Sequence, residues 1–172
     1  AENVELFIET VIPLPQLVII GAGHIGKELC HLGHRLDFEV LVIDDREEYA
    51  NQELLPDAIE IKFGDIGSLV DGLTKTGDTY IIIVSRSHSE DASALEACIN
   101  SDAGYVGMIG SKHKVAVLKK QFIESGLATE EQWSRIHTPI GIPIASHTVQ
   151  EIALSIAAQL VSERAKKLSG DA

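Results

Sequence analysis

The chain has 172 residues and a formal net charge of −12, and its 45% hydrophobic but only 5% aromatic content suits parallel strands buried on both faces. The acidic balance argues against a general nucleic-acid surface, because phosphate backbones are held by clustered Lys and Arg. Two cysteines without CxxC spacing, no signal peptide and no apolar run of about 18 residues predict a cytoplasmic protein without a zinc site or a membrane segment.

In chain order, an edge strand is predicted at residues 4–11, and a lead-in over 1–15 precedes a nucleotide-binding core over 16–165, all in one domain, 1–172. Strands and helices then alternate. The strands cover about 17–20, 39–43, 58–63, 79–84 and 104–109; the helices cover about 24–36, 65–73 and 89–101, with one around Leu118 and two starting at the capping boxes Thr129-Glu-Glu-Gln132 and Thr148-Val-Gln-Glu151. This alternation predicts an α/β, Rossmann-like, doubly wound and mainly parallel sheet with helices on both faces.

The turn after the first buried strand is rich in glycine and opens the first helix. Gly21 permits a tight turn, Gly23 lets a pyrophosphate approach the backbone, and Gly26 lets the helix lie close to the strand. The helix N-terminus offers free N–H groups and a partial positive charge to phosphates. The predicted cofactor-binding residues of this turn are Gly21, Ala22, Gly23, His24, Ile25 and Gly26.

Two acids and an arginine follow the second strand. Asp44 stands where a dinucleotide-binding unit places the acid that takes a ribose hydroxyl, and Asp45 is a second candidate for the diol; the alternative for each is a solvated acid in a turn. Arg46 complicates the choice of cofactor, because an arginine near this acid accommodates the 2′-phosphate of NADP, whereas the acid alone favours NAD. The sequence leaves both cofactors open.

Ligands in such sheets bind beyond the carboxyl ends of the strands, which makes the polar residues after the strand at 79–84 candidates for the same site. Ser85 and Arg86 are predicted cofactor contacts, since an arginine can clamp a phosphate with two hydrogen bonds. His88 and Asp91 lie three residues apart at a helix start, so the carboxylate could orient the imidazole. The alternative is a serine N-cap with a solvent-exposed histidine.

Two later segments complete the set of candidates. Gly110, Ser111 and Lys112 form a second predicted anion cradle, or else a glycine turn with a capping serine. His137 begins a stiff apolar loop over 137–144 that is predicted to shape a pocket, although a structural histidine would fit equally well. The candidates for catalysis are therefore His88, Asp91 and His137; they do not form a complete catalytic set, and no metal site is predicted.

At these residues the chain resembles the C-terminal Rossmann domain of the XdhC/CoxI family, the xanthine dehydrogenase accessory proteins. The matching pieces run in order over nearly the whole chain, and the Gly-Met-Ile-Gly-Ser and His-x-Pro-Ile-Gly pieces together are specific. They are Gly21-Ala-Gly-His-Ile-Gly26, Asp44-Asp-Arg46, Ser85-Arg-Ser-His88 with Asp91, Tyr105-Val-Gly-Met-Ile-Gly-Ser-Lys112, Ile136-His-Thr-Pro-Ile-Gly141 and Glu151-Ile-Ala-Leu-Ser-Ile156.

The resemblance implies a chaperone-like maturation factor for molybdenum hydroxylases of the xanthine dehydrogenase type. Such a protein binds NAD(P) or a molybdopterin-type cofactor at the carboxyl edge of the strands and assists cofactor sulfuration and insertion into the apo-enzyme. A cysteine desulfurase and a second copy of the chain (a homodimer) are further implied partners. The family's Cys-Gly-Gly-like segment is not in this sequence, so we expect a separate N-terminal partner or a longer chain to supply it.

Two other classes of protein stay open at this point. The first is an NAD(P)-dependent oxidoreductase, in which His88 or His137 would act as acid or base beside a nicotinamide. The second is a nucleotide-sensing regulatory module of the potassium-channel type, which shares the first βαβ unit. Hydride transfer from NADPH would identify the former, and ligand binding that is indifferent to residues 85–88 and to the loop at 137 would identify the latter.

Overall fold

The computed structural model describes residues 13–169, so the edge strand predicted at residues 4–11 lies outside the described residues. A five-stranded parallel sheet has the order β3-β2-β1-β4-β5, which confirms the predicted α/β doubly wound architecture. Its strands are β1 (Gln16–Ile20), β2 (Glu39–Asp44), β3 (Glu60–Phe63), β4 (Thr79–Ile83) and β5 (Tyr105–Met108). The helices are α1 (His24–Arg35), α2 (Ile66–Asp71), α3 (His88–Glu96), α4 (Lys112–Glu124), α5 (Glu130–Ser134) and α6 (Val149–Ser169).

The central strands are buried on both faces, as expected for strands that are apolar throughout. Successive side chains of a strand point to opposite faces, so β1 sends Val18 and Ile20 into one apolar cluster and Leu17 and Ile19 into another. The first cluster packs beneath α2, α3, α4 and α5, and the second beneath α1 and α6. Among the described residues, helices therefore cover both faces of the sheet and leave the ends of its strands uncovered.

The strand order reverses at β1 and β4, which pair with each other in parallel. The chain leaves β1 toward β2 on one side and returns through β4 toward β5 on the other. Ligands in open α/β sheets bind at such a switch point, outside the carboxyl ends of the strands. The glycine turn after β1 and the polar segment after β4 therefore lie at the same edge.

Both predicted capping boxes are formed. Thr129 Oγ1 accepts from the Gln132 amide at 3.2 Å while Gln132 Oε1 accepts from the Thr129 amide at 2.7 Å, and Thr148 and Glu151 make the same pair of bonds at 3.2 and 2.9 Å. The helix predicted at 89–101 is shorter, because residues 97–100 form turns that still bury their apolar side chains. Within residues 13–169, the helices are too short or too polar to cross a membrane.

Candidate ligand site at the carboxyl edge of the sheet

Two of the three glycines in the turn after β1 are required by close packing. Gly21 has φ +112°, and a Cβ there would lie 2.7 Å from the carbonyl oxygen of Val84. A Cβ on Gly26 would lie 1.8 Å from the carbonyl oxygen of Gly21. Gly23 is different, because a Cβ there would meet nothing within 4 Å. The space above Gly23 is open, whereas the backbone on either side of it is packed.

The N-terminus of α1 lies directly beside this open space and has no side-chain cap. Its first intrahelical bond runs from the Lys27 amide to the Gly23 carbonyl at 2.9 Å, so the amides of the preceding turn have no helical acceptor. The other described helices begin with a capping side chain. These caps are Asp65, Ser87, Ser111, Thr129 and Thr148. Among the described helices, α1 is thus the one whose first amides remain available to an external acceptor.

The carboxylate of Asp44, at the end of β2, is buried and accepts four hydrogen bonds. Its Oδ2 accepts from the Ala22 amide at 2.6 Å and from Nη2 of Arg46 at 2.9 Å, and its Oδ1 accepts from the amide and Nε of Arg46, both at 2.9 Å. Burial alone would raise the pKa of Asp44, but the hydrogen bonds from Arg46 and Ala22 outweigh it and hold the pKa below its usual value. Asp44 therefore ties the glycine turn to the loop after β2.

Arg46 is held from two directions. Its guanidinium pairs with Asp44 and lies over the ring of Tyr49, 3.8 Å from the centroid. The hydrogen bond to Asp44 raises the pKa of Arg46. The predicted role of Asp44 toward a ribose stays a prediction, and the structure adds that Arg46 occupies the carboxylate that a ribose would use.

Arg86 and Asp45, predicted from separate segments, meet at this edge. Nη2 of Arg86 lies 3.2 Å from Oδ2 of Asp45, and its Nε lies 3.2 Å from Oε1 of Glu90. The Arg86 side chain is 56% exposed, so these ion pairs orient the guanidinium without burying it. Arg86 is thereby placed at the rim of the edge, between the loops after β2 and β4.

The spacing of His88 and Asp91 suggested that the carboxylate orients the imidazole, and this interpretation is wrong. Asp91 is fully buried, where it accepts hydrogen bonds from Ser85 Oγ and Lys114 Nζ. His88 is exposed at the first residue of α3. The two residues are close in sequence, but only Asp91 faces the core.

Lys114 was not among the predicted site residues. It lies four and eight residues before Leu118 and Phe122, which are buried, so it occupies the inward stripe of α4. A lysine on an apolar helix stripe needs a buried partner, and that signal was present in the sequence. Asp91 is the partner, and the pair fastens α4 to α3 beneath the edge of the sheet.

The second predicted anion cradle is built as a helix cap. Ser111 Oγ accepts from the Lys114 amide at 3.2 Å, while Gly110 precedes it and Lys112 is exposed. His24, in the first glycine turn, is also exposed and begins α1. Ser111 thus satisfies the amide that a phosphate would otherwise contact, and Lys112 is the part of this segment that can reach outward.

His137 lies in a packed layer away from the glycine turn. Its backbone pairs with Val106 and Met108 of β5, and its ring stacks on Tyr105 at 4.5 Å between centroids. Its Nδ1 lies 3.3 Å from Nε2 of Gln159, whose Oε1 accepts from the Tyr105 hydroxyl at 2.9 Å. Burial lowers the pKa of His137. Tyr105 starts β5, whereas the glycine turn follows the end of β1, so the two are at different levels of the sheet.

The edge thus gathers the glycine turn, Asp44, Asp45, Arg46, Ser85 and Arg86, while His137 is directed toward α6. Among residues 13–169, His, Cys, Asp and Glu form no group of three placed to hold a metal ion. Asp45, Asp65 and Glu90 do line a shallow cavity of about 300 Å³ at this edge. Arg46 is linked to the glycine turn through Asp44, which accepts hydrogen bonds from both the Arg46 guanidinium and the Ala22 amide.

The family model of the XdhC Rossmann domain matches residues 17–160. The uncharacterized protein YqeB of Escherichia coli K12 is 32% identical over 148 residues, which are 86% of this chain and 27% of that protein. A probable xanthine dehydrogenase subunit from Bacillus subtilis 168 is 22% identical over 163 residues, 95% of this chain and 47% of that protein. The chain therefore spans less than half the length of either relative.

A solved structure has the same fold. The crystal structure of a xanthine dehydrogenase from Bacillus halodurans superposes with a TM-score of 0.78 at 24% identity, over 90% of this chain and 44% of that one. At this identity the likeness establishes the fold alone.

Proposed function

This chain belongs to the XdhC Rossmann-domain family, related to xanthine dehydrogenase accessory proteins, and from that premise we propose that it holds a phosphate-bearing cofactor during the maturation of a molybdenum hydroxylase. The cofactor is NAD(P) or a molybdopterin-type compound, and the site is the carboxyl edge of the sheet. Its partner is the apo-enzyme, and a cysteine desulfurase supplies the sulfur. The domain binds and presents the cofactor.

One observation carries the binding part of the proposal: the uncapped start of α1 opens onto free space above Gly23. The amides of His24 and Ile25 would donate to phosphate oxygens there, and the helix dipole would favour the negative charge. Gly21 and Gly26 keep the backbone close enough to the sheet for this approach. The residues present therefore fit a phosphate group.

The maturation part rests on the family and on the length of the relatives. The chain covers 47% of the Bacillus subtilis relative and 27% of the Escherichia coli relative, so more than half of each lies outside this domain. A cofactor transfer that needs a reactive cysteine would then draw it from another segment or another protein. In this division of labour the present domain holds the phosphate end of the cofactor.

Binding is tested with Gly23→Val. The branched side chain enters open space, so the variant should fold normally, yet it occupies the position of the phosphate. Calorimetry with NADP⁺, NAD⁺ and a molybdopterin-type cofactor should show binding to the wild type and at least a tenfold loss in the variant, the scale of losing charge-assisted hydrogen bonds. Gly72→Val is the control, since Gly72 at the end of α2 has φ −70° and a Cβ there would meet nothing closer than 3.4 Å. Equal binding by a folded Gly23→Val protein would contradict the site.

The maturation role is tested separately. The purified chain is added while a molybdenum hydroxylase is loaded with cofactor, with and without a cysteine desulfurase, and hydroxylase activity is measured afterwards. We expect higher activity with the wild-type chain than with Gly23→Val. Activation that is equal for both proteins would show that the glycine turn has no part in loading.

A further inference from the structure

We propose that Arg46 is the residue that recognises the ligand at the end of β2, and that it selects a nucleotide whose ribose carries a phosphate over one with a free diol. This inference rests on the proposed binding of a nucleotide at the glycine turn. It assigns Asp44 a positioning role, and it chooses between the two cofactors that the sequence left open.

Asp44 has no acceptor position left for a ribose hydroxyl. A carboxylate offers about four lone-pair positions, and Asp44 fills them with donors from Ala22 and Arg46. Its side chain is 2% exposed. A ribose diol could reach Asp44 only by displacing the guanidinium of Arg46 or the amide that shapes the glycine turn. Displacing the guanidinium would replace a bond between two charged groups with one from a neutral hydroxyl, and displacing the Ala22 amide would break the contact that shapes the glycine turn.

Arg46, in contrast, has donors to spare. A guanidinium carries five N–H groups, and Arg46 uses Nε and one N–H of Nη2 on Asp44. Within residues 13–169, the other N–H groups of Arg46 have no acceptor. The plane of the group is set by Asp44 on one edge and by the ring of Tyr49, 3.8 Å away, beneath it. A guanidinium fixed in this way offers a free fork of the kind that binds phosphate with two parallel bonds.

The charges around Arg46 are arranged to leave that fork available. Asp45 is also within ion-pair distance of Arg46, but its Oδ1 lies 3.7 Å from Nε, which is too far for a hydrogen bond and does not involve the free N–H groups. Its Oδ2 pairs instead with Arg86 at 3.2 Å. Arg86 thereby offsets the negative charge of Asp45, which would otherwise repel a phosphate beside Arg46.

The test compares two pairs of ligands by calorimetry: NADP⁺ with NAD⁺, and 2′,5′-ADP with 5′-ADP. The second pair differs in where the second phosphate is attached, and not in the number of phosphates. The wild type should bind NADP⁺ and 2′,5′-ADP at least tenfold more tightly than their counterparts. Arg46→Gln should remove this preference, mainly by weakening the 2′-phosphorylated ligands. Arg135→Gln, an exposed arginine at the end of α5, should keep it.

Because Arg46→Gln removes partners of a buried carboxylate, its fold is checked by thermal unfolding, and Arg46→Lys serves as the second variant. Lysine keeps the charge without the fork, so the preference should fall but not vanish. A wild type that binds NAD⁺ as tightly as NADP⁺, or an Arg46→Lys protein with an unchanged preference, would overturn the inference while nucleotide binding itself stands. If neither dinucleotide nor either ADP binds the wild type, the proposed nucleotide binding fails first and this selectivity fails with it.

Discussion

At the scale of single residues, Asp44 is the residue on which the edge of the sheet depends. It joins the backbone of the glycine turn at Ala22 to the side chain of Arg46, and both partners lie in segments that cross the site. The Asp44 carboxylate is buried, and the hydrogen bonds from these donors keep it in its charged form. Losing the charge therefore affects folding and site geometry together.

Asp44→Asn should lower the free energy of unfolding by about 3 kcal/mol at pH 7, because it breaks a buried ion pair and leaves the guanidinium without its partner. The pKa of Asp44 is lowered in the folded state, so its contribution is fully present above the unfolded pKa of about 4 and is lost as the pH falls through the lower folded value. Urea unfolding at the two pH values should show a smaller difference in unfolding free energy between wild type and variant at pH 3 than at pH 7. Asp57→Asn, whose partner His31 is exposed, should change little at pH 7.

Arg86→Ala should weaken nucleotide binding by about 1.5–3 kcal/mol, the contribution of charge-assisted hydrogen bonds to an anion. The melting temperature should hardly change, since the pairs of Arg86 with Asp45 and Glu90 are exposed and such pairs contribute little to stability. Calorimetry and a thermal melt on the same samples separate the two effects. An unchanged dissociation constant would place the segment after β4 outside the site.

At the scale of elements, buried polar contacts fix how the helices sit behind the site. Asp91 of α3 accepts hydrogen bonds from Ser85 in the loop after β4 and from Lys114 of α4, so one carboxylate joins three segments of the chain. On the other face, Gln159 of α6 joins Tyr105 of β5 to His137. These networks fix the positions of loops that carry candidate ligand-binding residues.

Lys114→Met should destabilise the chain by about 3 kcal/mol, because removing one member of a buried pair leaves an uncompensated charge on Asp91. Asp91→Asn combined with Lys114→Met should recover part of this loss, since a neutral amide no longer needs the ammonium. Lys112→Met is the matched control, because Lys112 is exposed on the same helix. Additive losses in the double variant, measured by chemical denaturation, would show that the two residues are not coupled.

His137 should make the stability of the wild type fall as the solution is acidified. Its pKa is lowered in the folded state, mainly by burial, so the unfolded chain binds the proton more readily. The stability attributable to neutral His137 is therefore present at neutral pH and begins to be lost as the pH drops below the unfolded value of about 6.5. His137→Gln should lack this dependence. Unfolding curves from pH 7.5 to 5 that run parallel for both proteins would contradict the assignment.

At the scale of the whole molecule, the three residues predicted for catalysis occupy different environments. His88 is exposed at the start of α3, Asp91 is occupied by Ser85 and Lys114, and His137 is packed against Tyr105. The groups predicted for acid–base work are thus separated by the fold. This separation supports the proposed cofactor-holding role over that of a self-sufficient oxidoreductase.

The purified chain should accordingly reduce no small carbonyl substrate with NADH or NADPH, measured as the loss of absorbance at the nicotinamide band. The reason is that two of the predicted acid–base groups are engaged elsewhere, Asp91 with Ser85 and His137 with Gln159. An oxidation rate that depends on the enzyme and falls in His88→Ala or His137→Ala would instead favour the oxidoreductase.

Features that depend on neighbouring residues could be predicted from the sequence. The glycine turn, the strands and the two capping boxes are specified by local sterics and by hydrogen bonds that span three residues, as at Thr129 and Gln132. The alternation of apolar runs with amphipathic segments likewise determined the parallel α/β fold, because strands of this kind must be buried on both faces.

Only the tertiary structure decided which side chains these segments bring together. Asp91 and Lys114 are 23 positions apart, Ala22 and Asp44 are 22 apart, and His137 and Gln159 are also 22 apart. Spacing along the chain joined Asp91 to His88, but burial turned the carboxylate toward Lys114. Spacing also suggested Asp44 as a ribose ligand, and it did not show that the amide of Ala22 and the guanidinium of Arg46 bond to the same carboxylate. A buried charge takes the nearest partner in space, and the packing of the helices determines which partner that is.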